Sequence, residues 1–359
     1  MINRFIKKHS KNLYIFFLFL SLILFFFSTD KVYAKSFNIK NIEVSKPFEI
    51  NFDKNKVIDE GFIKAFSELI SLITVSSDHK IIKKIKLNQI RGMIESFSIK
   101  EEKFIDEIYY VNLGVSFNKK KILNFLEKKN IFPSIPIKKN FLFIPIIIEE
   151  NKENLLVFSN NKFYDEWNND SESFYLIEYI LPTEDLEDLN LIKKQYDLIE
   201  QYDFKEITSK YYLDDSIIAL IFINQKIIRI LSRITVNDKV VLINQSFSNI
   251  DINNTDQLST ITKSLKIIYE DYWKNFNQIN TSIKLPISIK VNGRDNSNVS
   301  RLENTLDEVN LIYDYFISKF DKDFIYYQII YNGTPDIFLK SMKKQNFNFN
   351  TQNKTWVLK

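Results

Sequence analysis

The sequence predicts an α+β protein of two to three serial modules, in which a mixed-sheet middle domain and a C-terminal βαββαβ ferredoxin-like module follow an N-terminal domain. Three patterns predict this class. Some stretches place apolar residues every three or four positions, others alternate apolar and polar residues, and residues 141–148 form an unbroken apolar run. We place the domains at residues 35–139, 140–281 and 282–359, after a signal peptide at residues 1–34.

The N-terminal α+β domain is predicted from helical and extended stretches that alternate. In chain order we expect a strand-like lead-in, a helix, a more basic helix, two extended runs and a helix, at residues 37–53, 57–73, 79–93, 94–117 and 118–130. Pro133 and Pro136 mark the predicted boundary to the next domain.

The middle domain opens with the apolar run 141–148, whose β-branched and aromatic residues are typical of a buried central strand. The other expected strands are residues 155–158, 173–181, 216–223, 226–236 and 239–247. Between them we expect a brief helix around Trp167 and a helix over residues 183–203 with Thr183 as N-cap. A long amphipathic helix over residues 255–276 completes a mixed sheet covered by helices.

The C-terminal module is predicted from the order strand, helix, strand, strand, helix, strand. The first five elements are expected at residues 282–291, 298–309, 311–318, 324–331 and 332–346. Thr334 is placed to cap the second helix, and Pro335 occupies its first position, where a missing N–H costs nothing. A final hairpin reaches residues 356–358. This order is that of a ferredoxin-like sandwich, which implies no particular chemistry.

Residues 1–34 have the three parts of a secretory signal peptide. Four basic residues precede a 15-residue apolar run, residues 13–27, and Val32-Tyr33-Ala34 resembles a cleavage site. The run is shorter than the roughly 20 residues of a membrane-spanning helix, which favours cleavage after Ala34 and export to the periplasm. The alternative is an uncleaved inner-membrane anchor formed by residues 13–27, which would be the protein's one association with a membrane.

Composition excludes several classes of function. The chain has 49 basic and 45 acidic residues, and residues 1–34 contain five of the basic and one of the acidic ones, so the remainder is neutral. A neutral chain lacks the basic footprint of a nucleic-acid binder. The absence of Cys excludes thiol chemistry, and His79 is the one histidine beyond residue 34. We therefore expect His79 to be a surface residue at a helix terminus, and we predict no catalytic residue, cofactor or metal.

Three stretches resemble a known family. They are "FLFIPIIIEENKENLLVFSNNKFYDEWNND", "LPTEDLEDLNLI" and "IIYNGTPDIFLKSMKKQNFNFNTQNKTWVL". Together with the first helix around Ala65, they are similar to the bacterial envelope family catalogued as domain of unknown function 2066. The chain departs from the family pattern at Ile144-Pro145-Ile146 and in a Trp turn that lacks Pro. The family has no established catalytic residues, so the resemblance implies an exported protein and assigns no reaction.

Trp167, Glu184, Asp185 and Asp188 form the candidate functional surface. Carboxylates at this density could perform glycoside hydrolysis or bind a hard cation such as calcium. At a helix start they are instead expected to fan into solvent and complement the helix dipole. Trp167 could stack on a sugar, although a tryptophan in a turn is more often a packing residue.

Two functions of different classes remain. The first is a non-catalytic periplasmic protein that binds an envelope protein or a cell-wall polymer. It is motivated by the signal peptide, the scarcity of reactive residues and the serial modules. The second is a carboxylate-based envelope hydrolase that acts on glycan, motivated by the acidic residues and Trp167.

Overall fold

The structure is a computed structural model that describes residues 36–152, 154–168 and 175–359. The predicted signal peptide, with its apolar run 13–27, lies outside the described residues. Within them the α+β class is confirmed, because helices pack on three separate sheets.

The first unit has a three-stranded antiparallel sheet in the order β1-β3-β2. Its elements are β1 (Ser36–Pro47), α1 (Lys54–Ile73), α2 (His79–Ile82), α3 (Leu87–Met93), β2 (Ile94–Ile105), β3 (Ile108–Asn118) and α4 (Lys119–Glu127). Asp53 caps α1 by accepting a hydrogen bond from the amide of Asn55 at 2.9 Å. The apolar face of α1 then packs on the sheet, with Phe66 and Leu69 buried.

The predicted helix over residues 79–93 is two helices, α2 and α3, with a link at residues 83–86. Lys86 is extended, and its amide donates to the side chain of Gln89 at 3.3 Å, which starts α3 anew. Ile85 packs against the core from the link. Local capping and the burial of Ile85 therefore favour the break over a continuous helix.

The middle unit has a mixed sheet in the order β5-β4-β7-β8-β9, with β6 also paired to β4. Its elements are β4 (Lys139–Glu149), β5 (Asn154–Leu156), α5 (Lys162–Glu166), β6 (Ile177–Ile180), α6 (Leu186–Lys194), α7 (Lys205–Thr208), β7 (Ser216–Asn224), β8 (Ile227–Val236), β9 (Lys239–Ser248) and α8 (Thr255–Phe276). The central strand β4 is parallel to β7 and β6 and antiparallel to β5.

Side chains of β4 alternate between two cores, one on each face of the sheet. Phe141 and Phe143 lie in the core beneath α8. Leu142 and Ile144 lie in the core that contains Ile192 of α6. Burial on both faces explains the unbroken apolar run from which this strand was predicted.

The C-terminal unit has a sheet in the order β11-β12-β10-β14-β13. Its elements are β10 (Leu285–Asn292), α9 (Asn296–Glu308), β11 (Ile312–Phe320), β12 (Phe324–Tyr331), α10 (Pro335–Lys344), β13 (Phe349–Asn350) and β14 (Thr355–Leu358). Four adjacent strands of this sheet, β14-β10-β12-β11, follow the ferredoxin-like order that was predicted. A difference is that β14 runs parallel to β10, because the β13–β14 hairpin reverses the chain once more.

The first unit contacts both others. Asp271 near the end of α8 accepts hydrogen bonds from the amide of Ser76 at 2.8 Å and from its hydroxyl at 2.5 Å. On another side, Lys120 of α4 lies 2.6 Å from Asp314 of β11. The modules are therefore serial in sequence but packed around the first of them in space.

Candidate acidic groove beside α6

The candidate site begins where α6 starts. Asp185 is the N-cap, and its Oδ1 accepts a 2.8 Å hydrogen bond from the amide of Glu187. This bond, followed by the charge of Lys210, holds the pKa of Asp185 below its ordinary value. The prediction that Thr183 is the cap was wrong, because the Thr183 amide donates to the hydroxyl of Tyr211 at 3.1 Å and stays outside the helix.

Asp188, one turn further, is buried. Its side chain is 1% exposed, and its Oδ1 lies 2.6 Å from Nζ of Lys210. The same Nζ is 3.4 Å from Oδ2 of Asp185 and 3.6 Å from Oε2 of Glu187. The expectation that these carboxylates fan into solvent is therefore wrong for Asp188. Its hydrogen bond raises the pKa of Lys210 well above the ordinary value.

Lys210 is a site residue that the sequence does not reveal locally. It belongs to a short 3-10 turn, Ser209–Tyr211, that lies 22 residues beyond Asp188. One feature of the sequence indicates that Asp188 needs a cationic partner. Asp188 stands four positions before the buried Ile192, on the same face of α6, and a carboxylate on a buried face needs a partner.

A groove lies between β5 and the start of α6, and we call it the α6 groove. It has a volume of about 340 Å³ and is lined by residues 154–159 and by Glu184, Asp185, Leu186, Leu189 and Lys193. Leu186 is 78% exposed, so this wall presents an apolar side chain to solvent. Glu184 is fixed at the acidic end, where its Oε1 accepts a 2.9 Å hydrogen bond from Ser159.

The buried side-chain amide of Asn161 fixes the strands that form one side of the groove. Asn161, the N-cap of α5, is fully buried, and its Nδ2 donates to the carbonyls of Pro145 and Leu156 at 2.9 and 3.0 Å. Those carbonyls belong to β4 and β5, so Asn161 ties the two strands to α5. In the sheet order β5 is the edge strand. An edge strand carries backbone groups that can pair with another extended chain.

Trp167 does not belong to this groove. It is fully buried, and its ring stacks on Phe143 at a centroid distance of 3.8 Å. Phe143 faces α8, whereas α6 covers the opposite face of the sheet. Placing Trp167 on the candidate surface with Glu184, Asp185 and Asp188 was therefore wrong. The alternative interpretation, a packing residue, describes what the structure shows.

The arrangement of charges suits binding better than hydrolysis. Asp188 is shielded from solvent, and Lys210 sits between it and Asp185. Among residues 36–152, 154–168 and 175–359, no cluster of three or more His, Cys, Asp or Glu side chains has the geometry of a metal site. Glu184 and Asp185, the two acidic residues of the lining, give the groove an acidic end that attracts a cationic group.

Comparison with models of known protein families found no match, and a search of curated proteins found no significantly similar sequence. The resemblance to the family of domain of unknown function 2066 therefore stays a prediction, as do the signal peptide and the domain limits.

Proposed function

We propose that this is an exported, non-catalytic periplasmic protein that binds an extended segment of an envelope protein in the α6 groove. The observation that carries this proposal is the juxtaposition of an edge strand, β5, with an apolar wall and an acidic end. Addition of a strand to a sheet edge is a common mode of peptide recognition, in which the backbone supplies affinity and flanking pockets supply specificity.

The groove defines the chemistry of the segment it would accept. Leu186 and Leu189 offer contact to one or two apolar side chains. Glu184 and Asp185 favour a Lys or Arg side chain beside them. The single charge of Lys210 is shared among three carboxylates, so it does not cancel this acidic end. A short extended segment that alternates apolar and basic residues meets both requirements.

The proposal of export rests on the basic start, the apolar run at residues 13–27 and the Val32-Tyr33-Ala34 site. Within the described part of the chain, no helix is both long and apolar enough to cross a membrane. N-terminal sequencing of the native protein tests the boundary. A first residue of Lys35 supports it, and a first residue of Met1 contradicts it.

Site-specific photo-crosslinking in cells tests the groove. A benzophenone amino acid replaces Leu186, and a matched control replaces Leu198, which is 56% exposed in the same unit but does not line the groove. We expect one discrete envelope protein to crosslink from position 186 and not from 198, and Glu184→Lys to abolish that product. Equal products from both positions, or a product that Glu184→Lys leaves unchanged, would contradict the proposal.

The envelope hydrolase is the weaker candidate. The observation in its favour is that Asp185 and Asp188 both approach the same ammonium group. Against it, Asp188 is shielded from any glycan and Lys210 occupies the space between the two carboxylates. Turnover of purified cell wall by the native protein, abolished by Asp185→Ala, would favour the hydrolase over the binding protein.

A further inference from the structure

A second cavity, unrelated to the α6 groove, lies in the first unit where α2 and α3 are separated by the link 83–86. We call it the α1 cavity, because α1 forms its floor. It has a volume of about 240 Å³ and is lined by side chains of α1, α2, α3 and the link. Its buried lining is apolar: Phe66, Ile70, Ile82 and Ile90. The break in the helix, which periodicity did not predict, creates this space.

The volume of the α1 cavity suits a short alkyl chain. A methylene group takes up roughly the volume share of a water molecule, about 30 Å³, so the cavity holds about eight such groups. An apolar cavity of roughly 150 Å³ is already large enough to bind benzene. A chain of this length removes apolar surface of its own and of Phe66 and Ile70 from water, which is the driving force for binding.

The rim of the α1 cavity is basic. Lys83 lines it, and Lys84 and Lys86 belong to the same link. In the described part of the chain none of these three side chains forms an ion pair or hydrogen bond. The link thus presents unneutralised cationic groups next to an apolar interior, and lysine stems readily lie along apolar surface while the ammonium stays in water.

One polar group of the interior lacks a partner. His79 lines the α1 cavity, and its Nε2 is buried with no hydrogen-bond partner among the described residues. His79 lies at a helix terminus, as expected, because it starts α2. Its side chain is partly buried against α1, however, and is not a fully exposed surface group. Burial, and then the charge of Lys274, lowers its pKa, so the imidazole is neutral at pH 7.

We propose that the α1 cavity binds a medium-chain fatty acid, with the alkyl chain on Phe66 and Ile70 and the carboxylate at Lys83. The apolar floor selects an alkyl chain, and the free charges of the link select an anionic head. His79 places one polar atom, Nε2, in the lining of the cavity, and Lys83 remains the group that holds the carboxylate.

Isothermal titration calorimetry of the full chain with sodium octanoate tests the proposal. We expect one octanoate per chain. We expect octan-1-ol, which has the same chain and no charge, to bind more weakly by about tenfold or more, the scale of one hydrogen bond to a charged group. Equal affinity of octanol and octanoate, or no heat from octanoate at both 15 and 35 °C, would overturn the proposal, since alkyl burial has an enthalpy that changes with temperature.

Two variants locate the site. Lys83→Glu should weaken octanoate binding by more than tenfold, since it replaces an attraction by a repulsion, and leave octanol unchanged. The control Lys56→Glu makes the same charge change on an exposed part of α1 that does not line the cavity, and should have no effect. If both variants weaken binding equally, the recognition is a general charge effect and the proposed site is wrong.

Filling the cavity provides an independent test. Ser71→Phe places a ring in it from the partly exposed side of α1, and Ser67→Leu adds an isobutyl group from an exposed position if the first variant fails to fold. Either folded variant should lose binding of both octanoate and octanol. Unchanged binding of the two ligands to a folded variant would contradict the proposal. The proposal would also be contradicted if the wild-type protein bound anionic phospholipid vesicles but did not bind free octanoate.

Discussion

Lys210 determines the state of the acidic cluster at the level of single side chains. It is 36% exposed and reaches back to Asp188, which is almost wholly buried. The pair joins α6 to the turn after α7 and so fixes the floor of the acidic end. A buried pair of this kind contributes little net stability when intact, but the loss of one partner leaves an uncompensated charge.

Lys210→Met should therefore destabilise the protein, because Asp188 remains buried without its cation. Urea unfolding at pH 7.5 measures the change. Glu187→Gln is the matched control, since Glu187 also faces Lys210 but is 75% exposed, and it should change stability by less than about 0.5 kcal/mol.

The double variant Lys210→Met/Asp188→Asn completes the cycle. It should recover at least half of the lost stability, because the buried group no longer carries a charge. Failure of the second substitution to recover stability would show that Lys210 acts through packing alone.

His79 predicts a pH dependence with a definite sign. Its pKa in the folded protein is lowered from 6.5, first by burial and then by Lys274. The unfolded chain therefore binds more protons below about pH 6.5, and stability falls as pH drops through the folded pKa. We expect wild type to lose more stability between pH 7.5 and 5.5 than His79→Gln.

The comparison with His79→Gln is needed because other groups face this histidine. Burial raises the pKa of Asp78, so Asp78 stabilises the fold as pH falls, with the opposite sign. Asp271 and Lys274 are the other charged neighbours. Subtracting the two pH profiles isolates His79, and identical profiles would contradict the prediction.

At the scale of elements, two glycines in helices have opposite roles. A Cβ on Gly61 of α1 would lie 2.3 Å from Cδ1 of Leu113 on β3, whereas a Cβ on Gly92 of α3 would meet nothing within 4 Å. Gly61→Ala should destabilise the protein by about 1–2 kcal/mol, since crowding outweighs the gain in helix propensity. Gly92→Ala should stabilise it by about 0.5–1 kcal/mol.

Thermal unfolding of the two variants measures this contrast, and each serves as the control for the other. Equal stabilisation by both substitutions would show that helix propensity dominates and that α1 can move away from β3. The contrast reports directly on how closely α1 approaches the sheet.

The elements that could be predicted are those whose own residue pattern determines their structure, without contacts to distant residues. β4 was predicted because burial on both faces demands an unbroken apolar run. The link 83–86 was not, since it depends on Gln89 capping Lys86. The start of α6 was misplaced for a similar reason, because the bond between Thr183 and Tyr211 joins residues far apart in sequence.

The same distinction applies to the candidate site. Glu184 and Asp185 were found because carboxylates concentrate at a helix start. Trp167 was misassigned because sequence does not say which face of the sheet a turn covers. Lys210 could not be located without the fold, since its three acidic partners lie 22 to 25 residues earlier in the chain.

At the scale of the whole molecule, Asp271 couples α8 to the first unit through Ser76. Asp271→Ala leaves the Ser76 amide without its charged acceptor, which should cost about 1–3 kcal/mol. Hydrogen exchange should show lost protection in residues 74–79 and unchanged protection in β7 and β8. Asp256→Ala, at the exposed start of the same helix, should leave residues 74–79 as they are.

Unchanged exchange at residues 74–79 in Asp271→Ala would show that apolar contacts hold the units together without this bond. Loss of protection throughout β7 and β8 would show instead that the first two units unfold as one cooperative body.

The contact between α4 and β11 forms late during synthesis of the chain, because its two partners lie far apart in sequence. Lys120 cannot pair with Asp314 until 194 further residues have been made, and a ribosome needs about 10–40 s to synthesise that length of chain. Throughout that interval the face of α4 that will meet β11 has no partner. The first unit therefore carries uncovered surface on α4 until β11 has been made, and transiently exposed surface of this kind favours association with other chains.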